Sequence, residues 1–536
     1  MDFTAAYRHA SWRCIAFSPG STFLASVTAD DACSVVVRAS STLQVIRTWT
    51  LEASISTLEW SPDGAFLLAA HPGQKEDGVV FVVSLDPAKE ANDGSDSGSG
   101  WVARISSGSD GLSHATWAPP YGPKTLILFS QNRIRASLYN LVDQHISAIE
   151  GPKQDKIVWT AKQPNYFASI LKGAERDSLY VFSSQKLTHK ESQRFADKPK
   201  SDQAWKVEQA FHIAMNDVHD VLWAPDGSCL AVWEGPLEYK LQIYTPLGAL
   251  RATFLIEPES EDGTPVTRTG TAAAEARQPS KRRQETSELA SVVAGGGSGI
   301  RQVEWHPSSL FLAVGGGDER VRILEGVEWE EVACLDLSSA SIRASKEAPS
   351  MPLYGPLIAW REPLSWLEET RARGIVGLEQ ASLPFSLASS KVELNKVKTK
   401  QGIAWMAWSL QGNLLAAVNE RLPHAVWIFA FAEPGQDRMS GNTPRLLAVL
   451  QLNGAARRVC WRPGHVGKLG VVCDNRAIYT WELITASTSQ YRQRAEAIPI
   501  PNDELKATQL QWSPDGQKIL LASESLFCCA FEAGEG

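Results

Sequence analysis

The 536-residue sequence lacks the usual marks of catalysis. It has no G-x-S-x-G nucleophile elbow and no H-E-x-x-H. Gly295-Gly296-Gly297 and Gly315-Gly316-Gly317 complete neither G-x-G-x-x-G nor a Walker A loop. The ten His form no i, i+4 pair. The eight Cys (Cys14, Cys33, Cys229, Cys334, Cys460, Cys473, Cys528 and Cys529) contain no C-x-x-C, so neither a zinc site nor a thioredoxin-like motif is expected. Most of them lie in apolar runs, where Cys acts as a small hydrophobe, and a reducing compartment is expected. A basic excess is also missing: 52 Lys and Arg stand against 60 Asp and Glu, a net charge of −8. A general nucleic-acid binder carries the opposite sign on its binding domain. No run of about 18 apolar residues exists, so no membrane partner is expected. Met1-Asp2-Phe3-Thr4 lacks the basic-then-apolar layout of a signal peptide. No catalytic, cofactor-binding or metal-ligating residue is assigned.

Tryptophan, by contrast, is plentiful, with nineteen copies, and it recurs in a fixed phrase. An aromatic residue is followed by a small residue, Pro or a substitute, a turn pair and an apolar run. Trp60-Ser61-Pro62-Asp63-Gly64 before Phe66-Leu67-Leu68-Ala69 is one copy, and Trp512-Ser513-Pro514-Asp515-Gly516 is another. The anchors are Phe17, Trp60, Trp117, Trp159, Trp223, Trp305, Trp408, Trp461 and Trp512. At Trp159 the phrase is degenerate, because no Ser-Pro follows. Pro pre-sets φ and Asp-Gly tolerates the left-handed region, so the phrase reads as strand, tight turn, strand. A third strand follows, as in Tyr239-Lys240-Leu241-Gln242-Ile243-Tyr244, with apolar and polar residues alternating. A fourth fits Leu43 to Trp49. Four short strands per repeat predict an all-β, WD-type β-propeller of about nine blade-like units. With residues 86–104, 256–299 and 338–402 set aside, the rest divides into about 45 residues per anchor, against roughly 40–45 for a blade. One oversized ring and two joined lobes both fit. Each anchor Trp is expected in the blade core, where it would bury roughly 150–250 Å².

The organisation expected is units 1–5 in residues 1–255, a disordered insertion at 256–299, and unit 6 in 300–337. A partly structured insertion at 338–402 comes next, then units 7–9 in 403–536, with segment 3–10 closing the last unit. The 256–299 stretch has no aromatic residue and cannot bury enough apolar area to fold. Lys281-Arg282-Arg283 before Thr286 reads as solvated charge, or else as a kinase site or import patch. Residues 86–100 read as a flexible excursion. Within 338–402, Ser365-Trp366-Leu367-Glu368 has capping-box spacing and predicts a helix of about two turns, with Arg371 and Arg373 at its end and Gly374 at its exit. Lys391-Val392-Glu393-Leu394 alternates as a strand, followed by Lys396, Lys398 and Lys400. The lysines suit either a guarded sheet edge or a docking strip for an acidic partner.

Three stretches resemble the WD repeat-containing protein eight family. They are Trp223-Ala224-Pro225-Asp226-Gly227 through Leu237-Glu238-Tyr239-Lys240, Trp305-His306-Pro307 through Val321-Arg322-Ile323-Leu324, and Gly402-Ile403-Ala404-Trp405 through Pro423-His424-Ala425-Val426-Trp427. The name-giving Trp-Asp at the third-strand end is almost absent, with Trp481-Glu482 the nearest match there. The resemblance implies a protein of the centrosome or spindle pole body, in the cytoplasm and cytoskeleton and in the nucleus during mitosis. It implies a coiled-coil anchoring partner similar to the synovial-sarcoma-X-breakpoint-interacting family, a minus-end-directed kinesin of the kinesin-14 type, and indirect contact with microtubules. The function expected is a non-catalytic scaffold that helps tether microtubule minus ends and supports spindle assembly. A nuclear or cytosolic adaptor or substrate receptor binding peptides on the propeller face is the alternative. Trp233, Glu238, Tyr239 and Lys240 are candidate partner contacts, as are Trp366, Leu367, Lys396, Lys398 and Lys400.

Overall fold

The computed structural model describes residues 1–74, 77–85, 102–121, 124–142, 144–186, 203–235, 238–257, 266–271, 299–343, 354–387, 402–431, 444–487 and 490–532. Nearly all of these are strands and turns, and they build nine antiparallel blades, numbered in chain order over residues 15–50, 57–106, 114–150, 166–212, 218–271, 300–336, 403–451, 458–499 and 509–531. Blade 1 is typical: Ile15–Phe17 lies innermost, then Phe23–Val27, Ser34–Ala39 and Val45–Thr50 outward. Nine buried apolar clusters fill the joints between successive blades. The last of them joins Ile15, Phe17 and Leu24 of blade 1 to Leu520, Phe527 and Cys529 of blade 9. The blades therefore pack in one closed cycle, which resolves the choice the sequence left open. Closure uses the N-terminus: Asp2–Phe3 pairs with Phe531 and Ala530, and Tyr7–Arg8 pairs with Phe527 and Leu526.

The recurring phrase has a local cause. In Trp60-Ser61-Pro62-Asp63-Gly64, the Ser61 hydroxyl accepts from the Phe66 amide at 2.9 Å and donates to Asp63 Oδ1 at 2.6 Å. Gly64 takes φ +70°, which is open to glycine at no steric cost. Ser18, Ser409 and Ser513 cap their hairpins with the same hydroxyl-to-amide bond.

The anchors also bind blade to blade. The Trp60 indole N–H donates to the Ala16 carbonyl at 3.0 Å, and Trp117 donates to Glu59 at 3.2 Å. Trp305 reaches Leu222 at 3.4 Å, and Trp408 reaches Glu304 at 3.4 Å. Trp461 reaches Ala407 at 2.9 Å, and Trp512 reaches Cys460 at 3.3 Å. In every case the acceptor is the residue just before the previous blade's anchor. A buried indole N–H needs a partner, and this register supplies one from the neighbouring inner strand.

The insertion after blade 6 lies against the rim of blades 7 and 8. Ile358–Arg361 runs parallel to Arg445–Gln451, the outer strand of blade 7. Val376–Gly377 pairs with Ala497 and Glu496 on the outer strand of blade 8. Tyr354, Trp360, Trp366 and Leu378 fill the wedge between these blades. The two-turn helix expected here is one turn, Trp366–Glu369. Ser365 sits in the left-handed region and makes no side-chain cap, so the capping box is corrected. What fixes the turn is Glu362, buried, whose Oε1 accepts from the Trp366 indole at 2.7 Å and the Tyr479 hydroxyl at 2.6 Å. Gly374 does sit at positive φ just beyond. Two boundaries also change. Val266–Thr271, inside the stretch read as disordered, pairs with the outer strand of blade 5. Val102–Ser106 is the fourth strand of blade 2. The remaining residues of 256–299 from 258 on, apart from Gly299, the Lys281-Arg282-Arg283 patch, and residues 86–100 lie outside the described residues.

Candidate functional site, a notch at blade 4

Blade 4 breaks the pattern on both sides. It has three strands, Tyr166–Leu171, Ser178–Lys186 and Gln203–His212. Where an inner strand would run, the described residues form only isolated bridges with the sheet, at Pro152–Leu171 and Val158–Ala168. The sequence explains this. Thr160 stands where six of the other eight copies have Ser or Ala, and no Pro-Asp-Gly follows. The Thr160 hydroxyl donates to the Pro225 carbonyl of blade 5 at 2.6 Å instead of capping its own hairpin. The Trp223 indole then donates within its own turn, to Gly227 at 3.1 Å, and not back to blade 4. Trp159 is 39% exposed, the one anchor the structure takes out of the core. Trp461 is half-buried and the other seven are buried.

A cavity of about 170 Å³ opens where the stitch is missing, between Trp117 and Trp159. Glu59, His114, Thr116, Asp155 and Lys156 line it. The Glu59 carboxylate accepts from the Thr116 hydroxyl at 3.0 Å and the Trp117 amide at 3.4 Å. Burial pushes its pKa up to about 6, against these two bonds. Burial also lowers the His114 pKa, partly opposed by Asp155 and reinforced by Arg13, so the imidazole is neutral at pH 7. Asp155 Oδ2 accepts from Ser113 at 2.9 Å. Its Oδ1 is buried without a hydrogen bond, its nearest cation being Arg133 Nε at 3.5 Å. Lys156 is already held by both Asp220 oxygens, at 2.8 and 2.9 Å. The cavity is well below the roughly 300–1,000 Å³ of small-molecule pockets, and its size suits one side chain of a bound peptide. Among the described residues no group of three or more His, Cys, Asp or Glu could hold a metal ion.

The residues singled out from sequence fall elsewhere. Trp233 is 4% exposed and packs between blades 5 and 6, so it is core and not a partner contact. Its position in the second strand of a blade, flanked by neighbours on both faces, buries it. Trp366 is buried for the reason given above, with Leu367 packed beside it. Tyr239 is half-buried, its hydroxyl accepting from Arg322 at 3.0 Å with the guanidinium over its ring. Lys240 donates to the Ala214 carbonyl at 2.9 Å, and Glu238 is exposed. The four therefore do not form one surface patch. Lys396, Lys398 and Lys400, and the strand expected at Lys391 to Leu394, lie outside the described residues. Sequence reading missed Glu59, His114, Asp155 and Lys156 as site residues. The available signal was the degenerate phrase at Trp159, which marked the blade where the ring's repeated bond fails.

The comparisons agree with a WD-repeat propeller. The profile of the WD domain, G-beta repeat, matches residues 288–324. The mouse WD repeat-containing protein WRAP73 is 24% identical over 99% of this chain and 96% of its own length. Among solved structures, Sqt1 from Chaetomium thermophilum aligns over 88% of this chain and 94% of its own, at 14% identity and TM-score 0.42. The C-terminal WD40 domain of Sif2 aligns over 99% and 98%, at 10% identity and TM-score 0.44.

Proposed function

We propose that this WD-repeat propeller is a non-catalytic scaffold of the centrosome or spindle pole body. With a coiled-coil anchoring partner and a minus-end-directed kinesin, it tethers microtubule minus ends and supports spindle assembly. The observation that carries the scaffold reading is the single closed cycle of nine blades, a stiff frame with many loops and outer edges for simultaneous contacts. The similarity to a WD repeat-containing mouse protein along nearly the whole of both chains supports a common architecture. The spindle-pole placement rests on the resemblance of the Trp223, Trp305 and Gly402 stretches described above. Imaging a tagged chain through mitosis tests it: sharp foci at spindle poles are expected, and a diffuse signal overturns the placement.

The blade 4 notch favours a second reading, a peptide-binding adaptor or substrate receptor outside the spindle pole. Purification of the tagged chain separates the two. Coiled-coil and kinesin partners would point to anchoring, and degradation or chromatin machinery to the adaptor.

A further inference from the structure

We propose that the notch at blade 4 receives one guanidinium, the side chain of an arginine in an extended segment of a partner protein. This inference rests on the protein-binding role common to both readings above and names what one contact recognises. Asp155 Oδ1 is held only by an ion pair, to Arg133 Nε at 3.5 Å. Asp155 Oδ1 is buried and makes no hydrogen bond, while Oδ2 already accepts from Ser113. A buried acceptor left in that state is costly, and a donor entering the cavity would satisfy it.

The surroundings select the donor. Glu59 adds a second carboxylate to the lining. The lining cation Lys156 is engaged by Asp220, and nearby Arg133 by Asp155 and the Lys153 carbonyl at 2.9 Å. Arg13 is felt only through its field at His114, and a neutral imidazole does not repel a cation. Trp159 lines the cavity and is 39% exposed, so its indole is available for a planar guanidinium to stack on. An anionic side chain would meet two carboxylates, and an apolar one would leave Asp155 Oδ1 without a hydrogen bond. An ammonium is a point charge without the flat fork that can bond the carboxylate while lying on the ring. The volume holds one such side chain, so the rest of the segment would lie outside the cavity.

The test uses the full chain, immobilised and screened against a positional-scanning library of acetylated hexapeptide amides. Arginine should be selected at one position. In fluorescence anisotropy, replacing that arginine by citrulline or lysine should weaken binding by about tenfold or more, as should Trp159→Ala or Asp155→Asn in the protein. Absence of an arginine preference, equal binding of the citrulline or lysine peptide, or wild-type affinity in both notch variants would overturn the proposal. Melting curves identify a variant that has lost its fold, and the peptide swaps on the wild-type chain decide the matter without any variant. Spindle-pole foci test the scaffold reading separately, so either idea can fail alone.

Discussion

Trp117 and Glu59 are bonded twice across the joint between blades 2 and 3. The indole N–H of Trp117 donates to the Glu59 carbonyl at 3.2 Å, while the Glu59 carboxylate accepts from the Trp117 amide at 3.4 Å. The first bond is one of six equivalent bonds around the ring among the described residues, and its absence at Trp159 creates the notch.

The repeated bond has a measurable strength. Trp305→Phe keeps the ring but removes the N–H to Leu222, and should cost about 1 kcal/mol. Trp305→Ala adds a cavity in the joint and should cost about 3–5 kcal/mol. Trp159→Ala, at the exposed anchor, should cost about 0.5 kcal/mol or less. Urea denaturation of the three variants checks the order. Equal losses at Trp159 and Trp305 would contradict the structure.

Glu304 predicts a pH dependence with a definite sign. Burial pushes its pKa up to about 7 from 4.5. The folded chain therefore holds a proton that the unfolded chain releases between these values. Stability from this group falls as pH rises from 4.5 to 7 and is level above. Glu304→Gln should thus be nearly neutral at pH 4 and stabilising by roughly 2–3 kcal/mol at pH 8. Denaturation series at both pH values check it, and a larger gain at pH 4 would reverse the sign.

The rim insertion should hold blades 7 and 8 together. Trp366→Ala removes a buried ring and the donor to Glu362, and should destabilise by about 3–5 kcal/mol. Hydrogen exchange should rise first in Arg445–Gln451 and Gln490–Pro499, the outer strands the insertion covers. Unchanged protection there would show that the insertion packs without bracing.

Thiol reactivity should follow burial. All eight cysteines are free. Burial pushes the Cys14, Cys528 and Cys529 thiols up to about 12, so almost no thiolate exists at pH 8. Native alkylation read by mass spectrometry should label exposed Cys334 while sparing these three until the chain is denatured.

The chain's local chemistry determined its own repeat. Ser-Pro-Asp-Gly turns, period-two strands and an aromatic residue at each inner-strand end are short-range features, and hydroxyl-to-amide caps within five residues explain why they can be read directly. Even the faulty copy at Trp159 was visible, because a missing turn is as local as a present one. The closed cycle of nine, the fate of Trp233 and Trp366, and the meeting of Glu59, His114 and Asp155 were decided by tertiary structure. Those outcomes depend on which residue a neighbouring blade sets opposite, across separations such as the 58 residues from Glu59 to Trp117 or the 117 from Glu362 to Tyr479, and no local pattern encodes that pairing.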